Sequence, residues 1–196
     1  MQGKVDKQLI SIRDLTEADI PRILDYWYRS PFGYIEAMGA DPSKMPTEAE
    51  MNRSFLEKIA TNGKFSVSKI NALIVLYRQT PIGVHSVNPL FEGDFGIFHA
   101  HIWSRDHRGL GIGFHSYPLA CRIFLERFNL KKIVFKTPLQ NTGAIQVKEK
   151  LGIRLIGEEL IEFNVIKSNT LAKVYELSLE DAKLKWPELW KQNPLT

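Results

Sequence analysis

Apolar and polar positions alternate with two different periods along this chain, and the switches between them lay out the elements. From Gln8 to Asp14, apolar Leu9, Ile10 and Ile12 stand among polar residues and read as a first strand. Thr16 with Asp19 three residues on has the form of a capping box. Ile20, Ile23, Leu24 and Trp27 then recur at i, i+3, i+4 and i+7, the buried face of a helix. Pro21 falls early enough in that helix to be tolerated, and Ser30, Pro31, Phe32 and Gly33 end it. Residues 33–46 hold Gly33, Gly39, Pro42 and Pro46 and read as a surface loop, but Tyr34, Ile35 and Met38 give it enough apolar side chain to pack over something. A second capping box, Thr47 with Glu50, opens a helix striped by Met51, Phe55, Leu56 and Ile59 and stopped at Asn62 and Gly63.

Three strand-like runs follow, Ala72 to Tyr77, Ile82 to Val87 and Phe95 to Trp103, divided by Gln79-Thr80-Pro81 and Glu92-Gly93-Asp94. They predict an antiparallel meander. After a glycine-rich turn at 109–113, Ile112, Leu119, Ala120, Ile123, Phe124 and Phe128 mark a long helix that Pro118 should bend without breaking. Lys132 to Lys136 is a β-branched strand, so the meander gives way to a strand, helix, strand crossover. A helix from Asn141 to Leu151 ending at Gly152, strands near Arg154 to Phe163 and Ala172 to Leu179, and a short acidic, Trp-rich tail complete the chain. The class is α/β (α+β): a mixed, mostly antiparallel sheet of about seven strands flanked by about four helices. It forms one domain over 1–196, with its core at about 8–179 and a tail at 180–196.

Composition narrows the picture. The 196 residues are 44% hydrophobic and 24% charged, which excludes a disordered chain. A net charge of +4 without any dense Lys/Arg block permits nucleic-acid binding but does not indicate it. Cys121, the single cysteine, excludes an internal disulfide and any multi-thiolate metal site; it fits a reducing compartment, with the cytoplasm as the default. No metal site is expected. No stretch approaches the roughly 20 apolar residues that span a bilayer, and the N-terminus lacks an apolar run.

Candidate chemistry concentrates at Arg108-Gly109-Leu110-Gly111-Ile112-Gly113, between the end of a strand and the start of the long helix. Glycines let backbone approach a ligand without Cβ obstruction, and the unpaired first-turn amides of a helix, at the positive end of its dipole, suit a pyrophosphate. Arg105, His107 and Arg108 add donors for a further phosphate. The run is not a P-loop, since no Gly-Lys-Ser/Thr follows. It is a poor dinucleotide fingerprint, since the preceding sheet reads antiparallel and the next strand ends in Lys136-Thr137-Pro138 without a ribose-binding acid.

In this setting the chain resembles the GNAT superfamily of acetyl-CoA-dependent N-acetyltransferases, whose pyrophosphate loop reads Gln/Arg-x-x-Gly-x-Gly/Ala. Arg108, Gly111 and Gly113 match it in place. Asn141-Thr-Gly-Ala144 through Glu149-Lys150-Leu151-Gly152-Ile153 is similar to the second family stretch, with Ile153 where Phe is usual. The resemblance covers about residues 8 to 179. It implies acetyl-CoA as cosubstrate and a primary amine as acceptor, attacked directly in a ternary complex. It also implies a strand before the loop that splays from its parallel neighbour and offers backbone groups of Ile102, Trp103 and Ser104 to the pantetheine arm. The resemblance makes Arg108 to Gly113 the cofactor loop and lays Asn141, which can also serve as an N-cap, along the same cofactor.

Amine attack needs the ammonium deprotonated first. His99 and His101 are two apart on a strand and share a face, similar to the paired histidines of arylalkylamine acetyltransferases, with His99 the closer match. Alternating polar residues on a half-exposed strand are the competing reading. The family tyrosine that protonates the departing thiolate is replaced by Lys148; Tyr117 or solvent could substitute. Cys121, mid-helix beside Ala120 and Ile123, reads as a buried thiol and not a nucleophile. Tyr26, Tyr34 and Glu36, with Met38, come from the first helix and its loop, which in this family border the acceptor. Trp186 and Trp190 read as capping the domain or burying against a second subunit of a homodimer. The acceptor is a small amine or a protein N-terminus, the latter from a resemblance to ribosomal-protein N-terminal acetyltransferases. No nucleic-acid or membrane partner is expected. A non-catalytic acyl-CoA sensor or complex subunit of the same fold is the alternative, and Lys148 is the residue that favours it.

Overall fold

In the computed structural model, residues 6–62, 68–161, 165 and 169–191 are described, Arg105 in its backbone alone; the expected stop at Gly63 and the strand end at Phe163 lie outside them. The chain runs β1 (Ile10–Asp14), α1 (Ile20–Tyr28), α2 (Glu48–Asn62), β2 (Ala72–Tyr77), β3 (Thr80–Phe91), β4 (Phe95–Ile102), α3 (Ile112–Arg127), β5 (Lys132–Pro138), α4 (Thr142–Lys150), β6 (Arg154–Ile161), β7 (Thr170–Ser178), α5 (Leu179–Lys185) and α6 (Pro187–Trp190). One seven-stranded sheet has the order β1-β2-β3-β4-β5-β7-β6. Among the described residues its one parallel pair is β4 with β5. The described helices number six where four were expected, because the tail folds into α5 and α6.

At β2 both faces of the sheet are covered, which is why that strand reads as an unbroken apolar run, whereas edge strand β6 is exposed along most of its length. Side-chain alternation divides β2 between two cores. Ala72, Ile74 and Leu76 join Leu15, Ile23, Val84 and the inner faces of α1 and α2. On the other side Leu73 joins Phe98, Phe124, Phe135 and Tyr175, the core beneath α3. Trp186 and Leu189 from the tail are buried in this second core and Trp190 packs against it, so the tail closes its own domain. α3 continues through Pro118 to Arg127.

Several boundaries depart from the sequence reading for local reasons. The β2–β3 turn is Arg78-Gln79, both at positive φ, so Thr80 and Pro81 already belong to the strand. Lys7–Leu9 is a turn of 3-10 helix, which delays β1 to Ile10. The Asp19 carboxylate accepts from Thr16 N and Thr16 Oγ1 as expected, and also takes both Arg13 amino groups at 2.7 and 2.8 Å. α2 carries the expected Thr47–Glu50 box, yet none of its residues is fully buried and Leu56 is exposed, because part of its apolar stripe faces a cavity.

Candidate active site

β4 and β5 pair only from Phe95–Ile97 to Lys132–Val134. From Phe98 onward β4 keeps its bonds to β3 alone, and the sheet opens between the two strands. A groove of about 350 Å³ lies there, walled by Ala100, His101 and Ile102 of β4, by the 107–113 loop and first turn of α3, and by the start of α4. Gly111 caps α3 at φ 85 with no side-chain cap, and a Cβ placed on it would meet nothing within 4 Å. The first-turn amides of a 16-residue helix therefore face open space. Asn141 caps α4, accepting from Ala144 N at 3.2 Å, and lines the same groove.

The expected cofactor residues divide between wall and anchor. Ile102, Arg108, Gly109, Gly111, Ile112, Gly113 and Asn141 line the groove. Leu110 is turned into the apolar cluster of Ile10, Val75 and Ile82, and Trp103 packs among the residues beneath α1 and α2. Trp103 also spends its amide on the Ile82 carbonyl, and Ser104 Oγ accepts from Asp106 N; neither lines the groove. The Arg108 guanidinium donates twice to the Ile102 carbonyl, at 3.1 and 2.6 Å, and lies over the Tyr34 ring instead of facing outward. Lys150, which sequence reasoning passed over, supplies a cation on the groove wall. The Arg105 side chain lies outside the described residues.

A second cavity, of about 270 Å³, lies on the opposite face of β4. Register places it: Ser86 pairs with His99 and Val84 with His101, so these four side chains share one face. Trp27, Met38, Ala40, Met45, Met51 and Phe55 complete most of the apolar wall. The loop 33–46, folded into 3-10 turns at Glu36–Met38 and Pro42–Lys44, is what packs over this space. Gly83 allows the close approach of β3, since a Cβ there would collide with the His101 carbonyl.

Among the described residues, Met38 and His101 alone line both cavities. Tyr26, buried beneath them, donates its hydroxyl to Met38 Sδ at 3.3 Å and sits 3.0 Å from His101 Nδ1. The hydroxyl proton has two acceptors within reach: directed to Met38 Sδ it leaves the imidazole proton on Nδ1 and the lone pair on Nε2, and directed to Nδ1 it gives the reverse tautomer. Desolvation, aided by the neighbouring His99, holds the His101 imidazole well below its ordinary pKa and therefore neutral. His99 lines the second cavity only; its Nε2 donates to the Asn88 carbonyl at 2.6 Å. The register shift between Val87 and Leu90 sits beside that contact, and a proline inside a strand run, Asn88-Pro89, is the sequence signal for it.

Tyr117 lines the groove, fully buried, with its phenol pushed far up by desolvation. Lys148 is buried next to it, its Nζ donating to the Ala144 carbonyl at 3.1 Å and lying over the Tyr117 and Phe135 rings, with its pKa pushed down to about 7 by burial. Tyr26 and Tyr34 stand behind the site and not on either wall, and Glu36 lines neither cavity. Cys121 is buried with its thiol pushed far up, as its position mid-helix led one to expect.

Comparison with solved structures places the fold. Spermidine N-acetyltransferase from Vibrio cholerae in complex with CoA and spermine superposes with a TM-score of 0.66 at 17% identity, over 89% of this chain and 98% of that one. Ribosomal-protein-S5-alanine acetyltransferase from Vibrio fischeri does so with 0.68 at 15% identity, over 89% and 96%. A Bacillus anthracis acetyltransferase of the GNAT family gives 0.66 at 14%, over 90% and 98%. No curated protein matches the sequence significantly. The family model described as "Acetyltransferase (GNAT) domain" matches residues 10–154, more than half of the chain. With its splayed β4–β5 pair and the uncapped helix that follows, this chain belongs to the GNAT acetyltransferase domain family.

Proposed function

We propose that the chain transfers an acetyl group from acetyl-CoA to a primary amine by direct attack, with donor and acceptor approaching His101 from opposite sides of β4. The observation that carries this reading is the meeting of the two cavities at Met38 and His101. The groove fits coenzyme A: an open helix N-terminus for a diphosphate, Lys150 as a cation, and β4 edge unpaired toward β5 for an extended pantetheine arm. Similar folds have been solved with CoA and with acetyl-CoA bound. When bound, acetyl-CoA supplies the acyl group as an activated thioester.

The chain's own groups then hold the reactants and move the proton. His101 Nε2 accepts a proton from the incoming nitrogen in the tautomer whose Nδ1–H donates to the Tyr26 oxygen while the phenol proton points to Met38 Sδ. In the net reaction a C–N bond forms to the acceptor, the thioester C–S bond breaks with its electron pair on sulfur, and the proton lost by nitrogen ends on the thiol. Tyr117 is the tyrosine among the described residues that line the groove and supplies the phenol for that last transfer, while Lys148 is packed behind it. His99 orients the acceptor side through its bond to Asn88. Thiol release from acetyl-CoA across an amine panel, with coenzyme A affinity measured by calorimetry, tests the reading. Tight binding with no turnover on any amine would instead identify a sensor.

A further inference from the structure

Resting on the acetyltransferase reading above, we infer that the acceptor is a small primary monoamine with an apolar body, one that fills the cavity beneath the 33–46 loop.

Three observations carry this. The wall is apolar over most of its extent: Ile23, Trp27, Met45, Met51, Phe55 and Val84 face the space. Among the described residues that line it there is no Asp or Glu, and the one formal charge is the Lys58 ammonium. A second ammonium on the acceptor would therefore lose its hydration, find no counter-charge and meet a like charge. Size sets the other limit. At about 270 Å³ the cavity lies at the lower end of small-molecule sites, and Met38, Ala40 and Met45 of the loop close over it, so it suits one compact group better than an extended polypeptide. Apart from Lys58 and from Asn71, whose amide donates to the Val87 carbonyl, the polar side chains that line it, His99, His101, Ser86 and Asn88, gather on the β3–β4 face, where the single nitrogen has to arrive to reach His101.

The test compares benzylamine and 3-methylbutylamine with spermidine and with a peptide bearing a free N-terminal serine. Thiol release gives kcat/KM for each, and calorimetry on the CoA-saturated protein gives amine affinity independently of turnover. The apolar monoamines should exceed spermidine and the peptide by about a hundredfold in kcat/KM, in keeping with the discrimination polar and charged mismatches produce in an apolar site. Met51→Glu puts a carboxylate on the half-buried wall of α2; it should lower kcat/KM for benzylamine about tenfold or more and raise it for 1,4-diaminobutane, with unchanged CoA affinity reporting an intact fold. A preference for spermidine or for the peptide overturns the inference and leaves the acetyltransferase reading standing. So does a folded Met51→Glu protein with the parent's specificity. Binding of benzylamine without turnover of any amine supports the cavity assignment and overturns acetyl transfer; CoA binding with neither amine binding nor turnover overturns both.

Discussion

The Arg108 guanidinium lies 4.3 Å from the centre of the Tyr34 ring while donating to the Ile102 carbonyl. One side chain thus ties the 33–46 loop, which roofs the cavity proposed for the acceptor, to the strand end and loop that line the groove proposed for the cofactor. A cation over an aromatic face contributes about 0.5–2 kcal/mol, depending on how far it is desolvated. Tyr34→Ala should therefore raise the acceptor KM about fivefold with little change in kcat, and Tyr34→Phe should stay near the parent. Equal KM values in the alanine variant would show that the loop is held by other contacts.

Gly111 tests the cofactor loop. Its φ of 85 lies in the left-handed region, where a side chain costs about 1–2 kcal/mol even in the open space around it. Gly111→Val should lower coenzyme A affinity at least about tenfold, by reshaping the turn and covering the amides, while the melting temperature drops only a few degrees. Calorimetry and a thermal melt separate the two effects. Unchanged affinity would remove the loop from the pyrophosphate site.

His101→Ala should reduce kcat by about a hundredfold, the scale of a positioned proton acceptor, with CoA affinity unaltered. Because burial holds the imidazole neutral well below its ordinary pKa, the loss should be uniform between pH 6 and 9. The acidic limb of the profile then belongs to the acceptor's own ammonium. Tyr26→Phe keeps the packing but removes the hydroxyl beside His101 Nδ1, and should fall between parent and His101→Ala. A profile in which the His101→Ala deficit vanishes at high pH would point to a titrating base elsewhere.

Lys148 makes stability depend on pH. Its folded pKa of about 7 lies below the unfolded value of about 10.4, so below pH 7 both states carry the proton and the buried ammonium costs its full amount. Between about pH 7 and 10.4 the unfolded chain binds a proton that the folded chain lacks, and stability climbs with pH. Lys148→Met should stabilise the protein by about 1–4 kcal/mol at pH 6, with the gain shrinking towards pH 10. Urea unfolding at a series of pH values checks it; a gain independent of pH would place the effect in packing alone.

Local patterns carried the elements into view. Both capping boxes, Thr16 with Asp19 and Thr47 with Glu50, rest on residues three apart, and both form. The uncapped turn at Gly111 was likewise legible, because glycine spacing before an apolar helix is a local signal. What the sequence hid is register and covering. That His101, rather than His99, reaches both cavities follows from the pairing of Val84 and Ser86 with them and from where the sheet opens after Ile97, neither of which is a local property. The stripe of α2 looks like core, yet Met51 and Phe55 face a void and Leu56 is exposed. Glu36 is an acceptor candidate because the loop after the first helix borders the acceptor in the family it resembles, but its 3-10 turn carries it off both walls.

Opening the sheet by withholding hydrogen bonds from one edge of β4 has an evolutionary corollary. The donor half proposed here draws on main-chain groups, the open β4 edge and the first turn of α3, which many sequences can supply once the glycines and the helix start are in place. The cavity proposed for the acceptor is walled by side chains of α1, α2, the roof loop and the facing strands, whose identity is not fixed by main-chain geometry. Exchanging those side chains, as Met51→Glu would, can retune which nitrogen is accepted while the donor half is inherited unchanged.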